Sequence, residues 1–547
     1  MMTGPPVPTA PARDPSRTSG HRPTTFAVAM LALLGLVAVA CSSPDSSRSS
    51  AATKPPEGIL RLGLVTPGSL DPAQARSQSE VLLVDQLFDG LTAYEAGTLA
   101  VKPALAASWQ PSPDFKRWEF TLRADAVFGN GRQVTAADVK YTIERHARRG
   151  STSQAVSQIA LIGGFQAFNV TGKATDLAGI SSPAPNVVRF DLDEPLAALP
   201  ALLGNPIYGV VPREAVEAIP PAPIFAKQPV GSGPFVLKTR TDAEMNLVPA
   251  AGVKTELKGI DVFLAKDSTN AYSDFLRGGV DWAEAPNDQI ELVPAARGRD
   301  DYHPYAGELF YGFNLKNPKF ADRRFREAIV RAVDRDAIIR VVYGASALPA
   351  VGLVLQGIPG AQPDPCGDIC RYDPPRAKAL VKEVFPDRPP PEINIDFDDD
   401  PTQRAVAEAV QANLRSVGIN ANLRPHAFGD YLTFALSGAQ ELFRLGWIGT
   451  YPDPDAFLTP LYLAGVTDNV TGFASPEVDG LLRQGRSDPD GAKRTAAFQQ
   501  AEKIVMSQVP VVPLAQFQTH AVTGPRVRDL AVSVFGTFDA TQVRLDD

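Results

Sequence analysis

Two periods of hydrophobic patterning trade places along this chain: short runs in which apolar and polar residues alternate, and longer ones with an apolar residue every three or four positions. Trp118-Glu119-Phe120-Thr121-Leu122-Arg123 alternates and predicts a half-buried strand, as do Val188, Phe190 and Leu192. Between them, Thr135-Ala136-Ala137-Asp138 has capping-box spacing and predicts a helix through Tyr141 and Ile143. From Asp322 to Tyr343 the period is helical, with Phe325, Ala328, Ile329, Ala332 and Val333 on one face and Asp334 capping a second short helix. Asp400-Pro401 is a cap followed by Pro at the first helical position. Val406, Val410, Leu414 and Val417 then form a stripe that stops at Gly418. Ile419, Ala421 and Leu423 alternate beyond it as a strand. The pattern predicts an α/β architecture of several lobes.

One hydrophobic run fits neither period. Phe26 to Ala40 carries no charge and follows a polar stretch with Arg13, Arg17 and Arg22. It is shorter than the ~20 residues a spanning helix needs, and suits a signal-peptide core over residues 1–40. Ala38-Val39-Ala40-Cys41 and the Ser-rich stretch after it resemble a bacterial lipobox, although that pattern prefers Leu, Val or Ile where Ala38 stands. The resemblance implies lipidation at Cys41, a tether over residues 41–56, and residence on the outer face of the cell membrane, in a periplasmic space or at the cell surface. An ordinary secretory signal with an incidental cysteine is the alternative.

With 547 residues and 44% hydrophobic residues, the chain can bury large cores, and its length suggests two to four domains. A net charge of −8 with no basic run excludes nucleic acid as a partner. Enzymatic signatures are missing: no His-Glu-x-x-His, no Gly-x-Ser-x-Gly elbow and no phosphate loop. The acidic run Asp396 to Asp400 fails as a calcium loop, since Pro401 and Ala407 stand where Gly and a bidentate Glu are needed; it reads as a solvated loop favouring the next helix N-terminus. Cys366 and Cys370 lack a second ligand pair for zinc, so a short-loop disulfide is expected in an oxidising compartment. Neither metal nor cofactor is expected.

Several segments in fixed order resemble the extracytoplasmic solute-binding proteins of the oligopeptide/dipeptide/nickel class, the capture subunits of ABC importers. They are Ser69-Leu70-Asp71-Pro72, Leu87-Phe88-Asp89-Gly90-Leu91, the stretch from Leu105 to Arg145, Pro229-Val230-Gly231-Ser232-Gly233-Pro234-Phe235, Phe310 to Arg335, Gly446 to Leu458 and Pro510 to Pro513. The resemblance implies a two-lobed periplasmic-binding-protein-like fold with an inserted domain and a hinged cleft. Lobe one would comprise residues 57–94, 206–301 and 524–547, an inserted domain at 95–205 would pack on it, and lobe two would span 302–523. The expected protein is a non-enzymatic, monomeric peptide receptor that delivers its ligand to permease subunits with cytoplasmic ATPases.

In peptide-binding relatives the ligand main chain lies between two extended segments, an instance of strand addition. The match places these at Arg76, Ser77 and Gln78 and at Gly446, Trp447 and Ile448, with Arg444 where an arginine meets the ligand carboxylate. Read without the family, Trp447 is a core residue and Arg444 an ordinary ion-pair partner. Thr450 departs from the pattern, because many relatives carry Asp there for the ligand ammonium. Either Asp453 or Asp455 substitutes, Asp453 being the first choice, or the ligand has no free amine at that place. A modified peptide, siderophore-like compound, sugar or metal chelate is then the alternative ligand, and a repurposed surface sensor or scaffold the alternative role.

Overall fold

The computed structural model describes residues 55–218, 225–286 and 293–546. The signal-like run, Cys41 and the tether up to residue 54 lie outside them. No helix among the described residues is long and apolar enough to cross a membrane.

Helices begin where short acidic side chains can accept orphaned N–H groups. Asp322, Asp334, Asp373 and Asp400 open Arg323–Ala332, Arg335–Val342, Pro374–Val384 and Pro401–Ser416 in this way. Gly418, at φ +87°, ends the last one. Asp138 reaches back from Ala136–Ala147 to accept from the Thr135 N–H at 2.9 Å and its hydroxyl at 2.8 Å, and Arg132 clamps the same carboxylate at 3.0 and 2.7 Å.

Eleven strands make the main sheet. Its order is Ala421–His426, Ile393–Asp398, Leu442–Ile448, Arg299–Phe313, Val511–Thr523, Trp282–Glu284, Ile59–Val65, Gly259–Ala265, Glu244–Pro249 and Phe235–Arg240, with Ala347–Pro349 added to Val511–Thr523. Two halves are joined by the two long strands. Residues 299–303 pair with 519–523 beside the Trp282–Glu284 strand, whereas 308–312 pair with 511–516 beside Leu442–Ile448, and the register slips between Pro304 and Glu308. Pro304 cannot donate to the ladder, so the break falls where the sheet passes from one half to the other.

Each half has its own core. Leu60, Leu62, Leu83 and Val262 lie in one, and Phe313, Phe325, Ile329, Ile395 and Val410 in the other. The C-terminal segment is tied to the first half by Asp281, which meets Arg61 and Arg526 at 2.7 Å each, while Arg526 also donates to the Ile59 carbonyl. Burial pushes the Asp281 carboxyl up, but hydrogen bonds from Arg526 and Arg61 hold it below the usual range. Removing one member of such a buried cluster costs about 3–5 kcal/mol.

A separate four-stranded sheet, Ala106–Pro111, Arg117–Leu122, Val187–Asp191 and Ile180–Ala184, carries the helix Ala136–Ala147. This inserted region packs on both halves. Arg145 pairs with Asp71 of the first at 2.6 Å. Toward the second, the Ala197 N–H donates to the Arg486 carbonyl at 2.8 Å, and Phe120 and Phe190 share one core with Phe457 and Phe498.

The reading of the acidic run as solvated loop holds at Asp399 and Asp400, exposed ahead of the helix that Asp400 caps, and is corrected at the other two aspartates. Asp396 and Asp398 are buried strand residues rather than solvated loop: Asp396 holds Arg424 and, at 3.2 Å, His426, and Asp398 holds Arg444. Cys366 and Cys370 are joined in a disulfide with Cα atoms 5.6 Å apart.

Candidate ligand-binding site

The two halves of the sheet meet at the two long strands, and three cavities lie there and beside the inserted region. The first is lined by Arg76, Ser77, Glu80 and Thr152. Ser77 caps the helix Gln78–Leu87, and the Glu80 carboxylate accepts from the N–H groups of Arg76 at 2.7 Å and Ser77 at 2.9 Å. Those two donors are therefore committed to the chain itself. Arg76 also donates through Nη2 to the Thr152 carbonyl at 3.2 Å, while Gln78 faces the second cavity, at the strand crossing. Asp71 explains the motif before it: it accepts from the Ala73 N–H at 3.0 Å while paired to Arg145.

The third cavity, about 210 Å³, is lined by Trp447, Thr450, Asp455, Asp468 and Arg486 together with Ser157 and Leu161 of the inserted region. Trp447 sits partly buried on the large core, its indole N–H donating to the Ala456 carbonyl at 2.7 Å. Gly446 pairs with Leu309, and Ile448 next to Trp447 is 54% exposed. At Gly449 a Cβ would collide with the buried Phe457 ring, so the backbone and that ring can lie this close only at glycine. The Thr450 carbonyl accepts from Asn205 Nδ2 at 2.7 Å.

Arg444 stands apart from that cavity. Its Nη1 lies 3.3 Å from Asp398 and its Nε donates to Gln403 at 3.1 Å. Asp453 is turned to Arg494 at 3.0 Å and accepts the Asp455 N–H at 2.9 Å; it does not line the cavity. Burial pushes its carboxyl up against the opposing pull of Arg494. Asp455, which does line the cavity, accepts from Tyr451 at 2.8 Å and Thr459 and lies 3.4 Å from Arg486. Both carboxylates named for the ligand ammonium already have partners.

Asp468 was invisible to sequence reasoning. It is half-buried in the wall of the Trp447 cavity, and burial alone pushes its carboxyl above the ordinary value. A single Asp in a loop of mixed polarity gives no periodic signal. Only the fold brings it to Thr450.

Residues 100–469 match the family described as bacterial extracellular solute-binding proteins, family 5. The chain belongs to this family. Its members are transport binding proteins. The periplasmic murein peptide-binding protein MppA of Escherichia coli (strain K12) is 27% identical over 85% of this chain and 89% of its own length. Heme-binding protein A of Haemophilus influenzae is also 27% identical, over 83% of this chain and 86% of its own. The unliganded open form of MppA superposes with a TM-score of 0.78 at 24% identity, covering 90% of this chain and 98% of that one. The fold is accordingly the two-lobed one with a hinged cleft.

Proposed function

We propose that this chain is the peptide-capturing subunit of an ABC importer, held to the outer face of the membrane through Cys41 and delivering its ligand to permease subunits. Peptide-binding relatives that align over most of both chains carry this reading. The lobes would be residues 57–94, 206–301 and 524–547 against 302–523, with 95–205 inserted. The crossing strands supply the hinge, and a ligand that touches both halves would favour the closed form by its differential affinity.

In this reading the ligand main chain runs between Arg76–Gln78 and Gly446–Ile448. Arg444 turns from Asp398 toward a ligand carboxylate on closure. The ammonium falls to Asp468, since Asp453 holds Arg494 and Asp455 holds Tyr451 and Thr459. A second reading, a ligand without a free amine, is favoured by Thr450 and by a relative named for binding heme. Calorimetric titration of the mature chain with trialanine and its N-acetylated form tests both. Binding of the free peptide supports the first, binding of only the blocked one the second, and binding of neither refutes peptide capture.

A further inference from the structure

The cavity at the strand crossing, about 370 Å³, lies where the sheet changes register. Glu284 and Gln78 come to it from the first half of the molecule, Tyr343 from the second, and Tyr305 and Phe517 from the two strands that join them. Tyr305 stands inside the Pro304–Glu308 break, and Phe517 meets Tyr343 edge-on with ring centroids 5.8 Å apart.

Glu284 ends the short strand Trp282–Glu284 and is half-buried. Its carboxylate accepts from Ser79 Oγ at 3.0 Å, and no Lys or Arg among the described residues forms an ion pair with it. Burial pushes this carboxyl up, opposed only by the Ser79 hydroxyl. His520, also in the cavity wall, already has partners: it lies 3.0 Å from Asp300 and stacks on Tyr302. The cavity therefore presents one uncompensated carboxylate among aromatic faces. A partly desolvated carboxylate without a cation is costly, and aromatic faces attract cations and cover an aliphatic stem.

We propose that this cavity is a specificity pocket for a cationic group of the bound ligand, a lysine-type ammonium or an arginine-type guanidinium, with Glu284 as its counter-ion. The proposal rests on the peptide reading above and deepens it by naming a side-chain preference. Because the walls come from both halves and the strands between them, a cation seated there lies between parts that closure would bring together.

The test is calorimetric titration of the mature chain with six peptides: alanine tripeptides carrying lysine or norleucine at the first, second or third position. Lysine at one position should bind on the order of 100-fold tighter than norleucine. Glu284→Gln should bring that lysine peptide down to the norleucine level. Tyr305→Leu, on the opposite wall, should reduce the preference by roughly 2- to 30-fold. Binding of all six without discrimination, or a lysine preference that survives Glu284→Gln, overturns the pocket and leaves peptide capture standing. Binding of none overturns peptide capture itself, and this pocket's occupant with it.

Discussion

Replacing Glu308 by Met should stabilise the protein, and more so as the pH rises. Glu308 lies on the strand Arg299–Phe313 between Trp447 and Gln516, is 1% exposed, and neither carboxylate oxygen has a hydrogen-bond partner among the described residues. Burial, followed by the charge of Glu502, pushes its carboxyl far up from the ordinary 4.5. Glu502 accepts from the N–H groups of Leu353 and Val354 and from Gln362 at 2.8 to 2.9 Å. Of the two, Glu308 is therefore the one that keeps its proton. A raised folded value contributes stability that is fully present below 4.5 and is lost as pH rises toward that value. Each pH unit between the ordinary value and the raised one removes ~1.4 kcal/mol. Met fills a similar volume without titrating, and removing the unsatisfied polar group adds about 1–3 kcal/mol that does not depend on pH. Thermal unfolding of both proteins at pH 4.5 and 7.5 measures the difference. The gap in favour of Met should widen by several degrees at the higher pH. A constant gap, or a less stable variant at both values, would show that Glu308 is not the buried, neutral acid described here.

Two further predictions concern the proposed role. Asp468→Asn should weaken a free-amine peptide by about two to four decades and leave its N-acetylated counterpart unaffected, whereas equal losses for both would remove Asp468 as the ammonium receptor. Cys41→Ala should release the protein from the membrane or block its processing; a variant still processed before residue 41 and recovered with membranes would end the lipid-anchor reading.

Much of the architecture was legible in the chain because the forces that write it are local. An aspartate at a helix start acts on N–H groups two or three residues ahead, so Asp322, Asp334 and Asp400 announce their helices wherever the helices end up. Alternation around Trp118 and Val188 predicts strands because side chains on a pleated sheet point to opposite faces, and the structure has Arg117–Leu122 and Val187–Asp191 there. Gly231 and Gly233 in the Pro229–Phe235 motif answer instead to a distant contact, since a Cβ on either would strike the backbone at Leu87.

What a charged side chain faces was decided only by the tertiary structure. Asp396 looked like solvated loop because its neighbours are acidic, yet its partners Arg424 and His426 arrive on the adjacent parallel strand. Asp453 is claimed by Arg494 from a helix 41 residues further on. Glu284 and Tyr305 meet at one cavity because two strands cross between the halves, with the Val511–Thr523 strand lying between theirs in the sheet. A carboxylate's charge acts on whatever the fold sets within a few ångströms, and the cost of leaving it unpaired depends on how much water the fold removes. Both quantities belong to the folded arrangement and have no local signature in the order of residues.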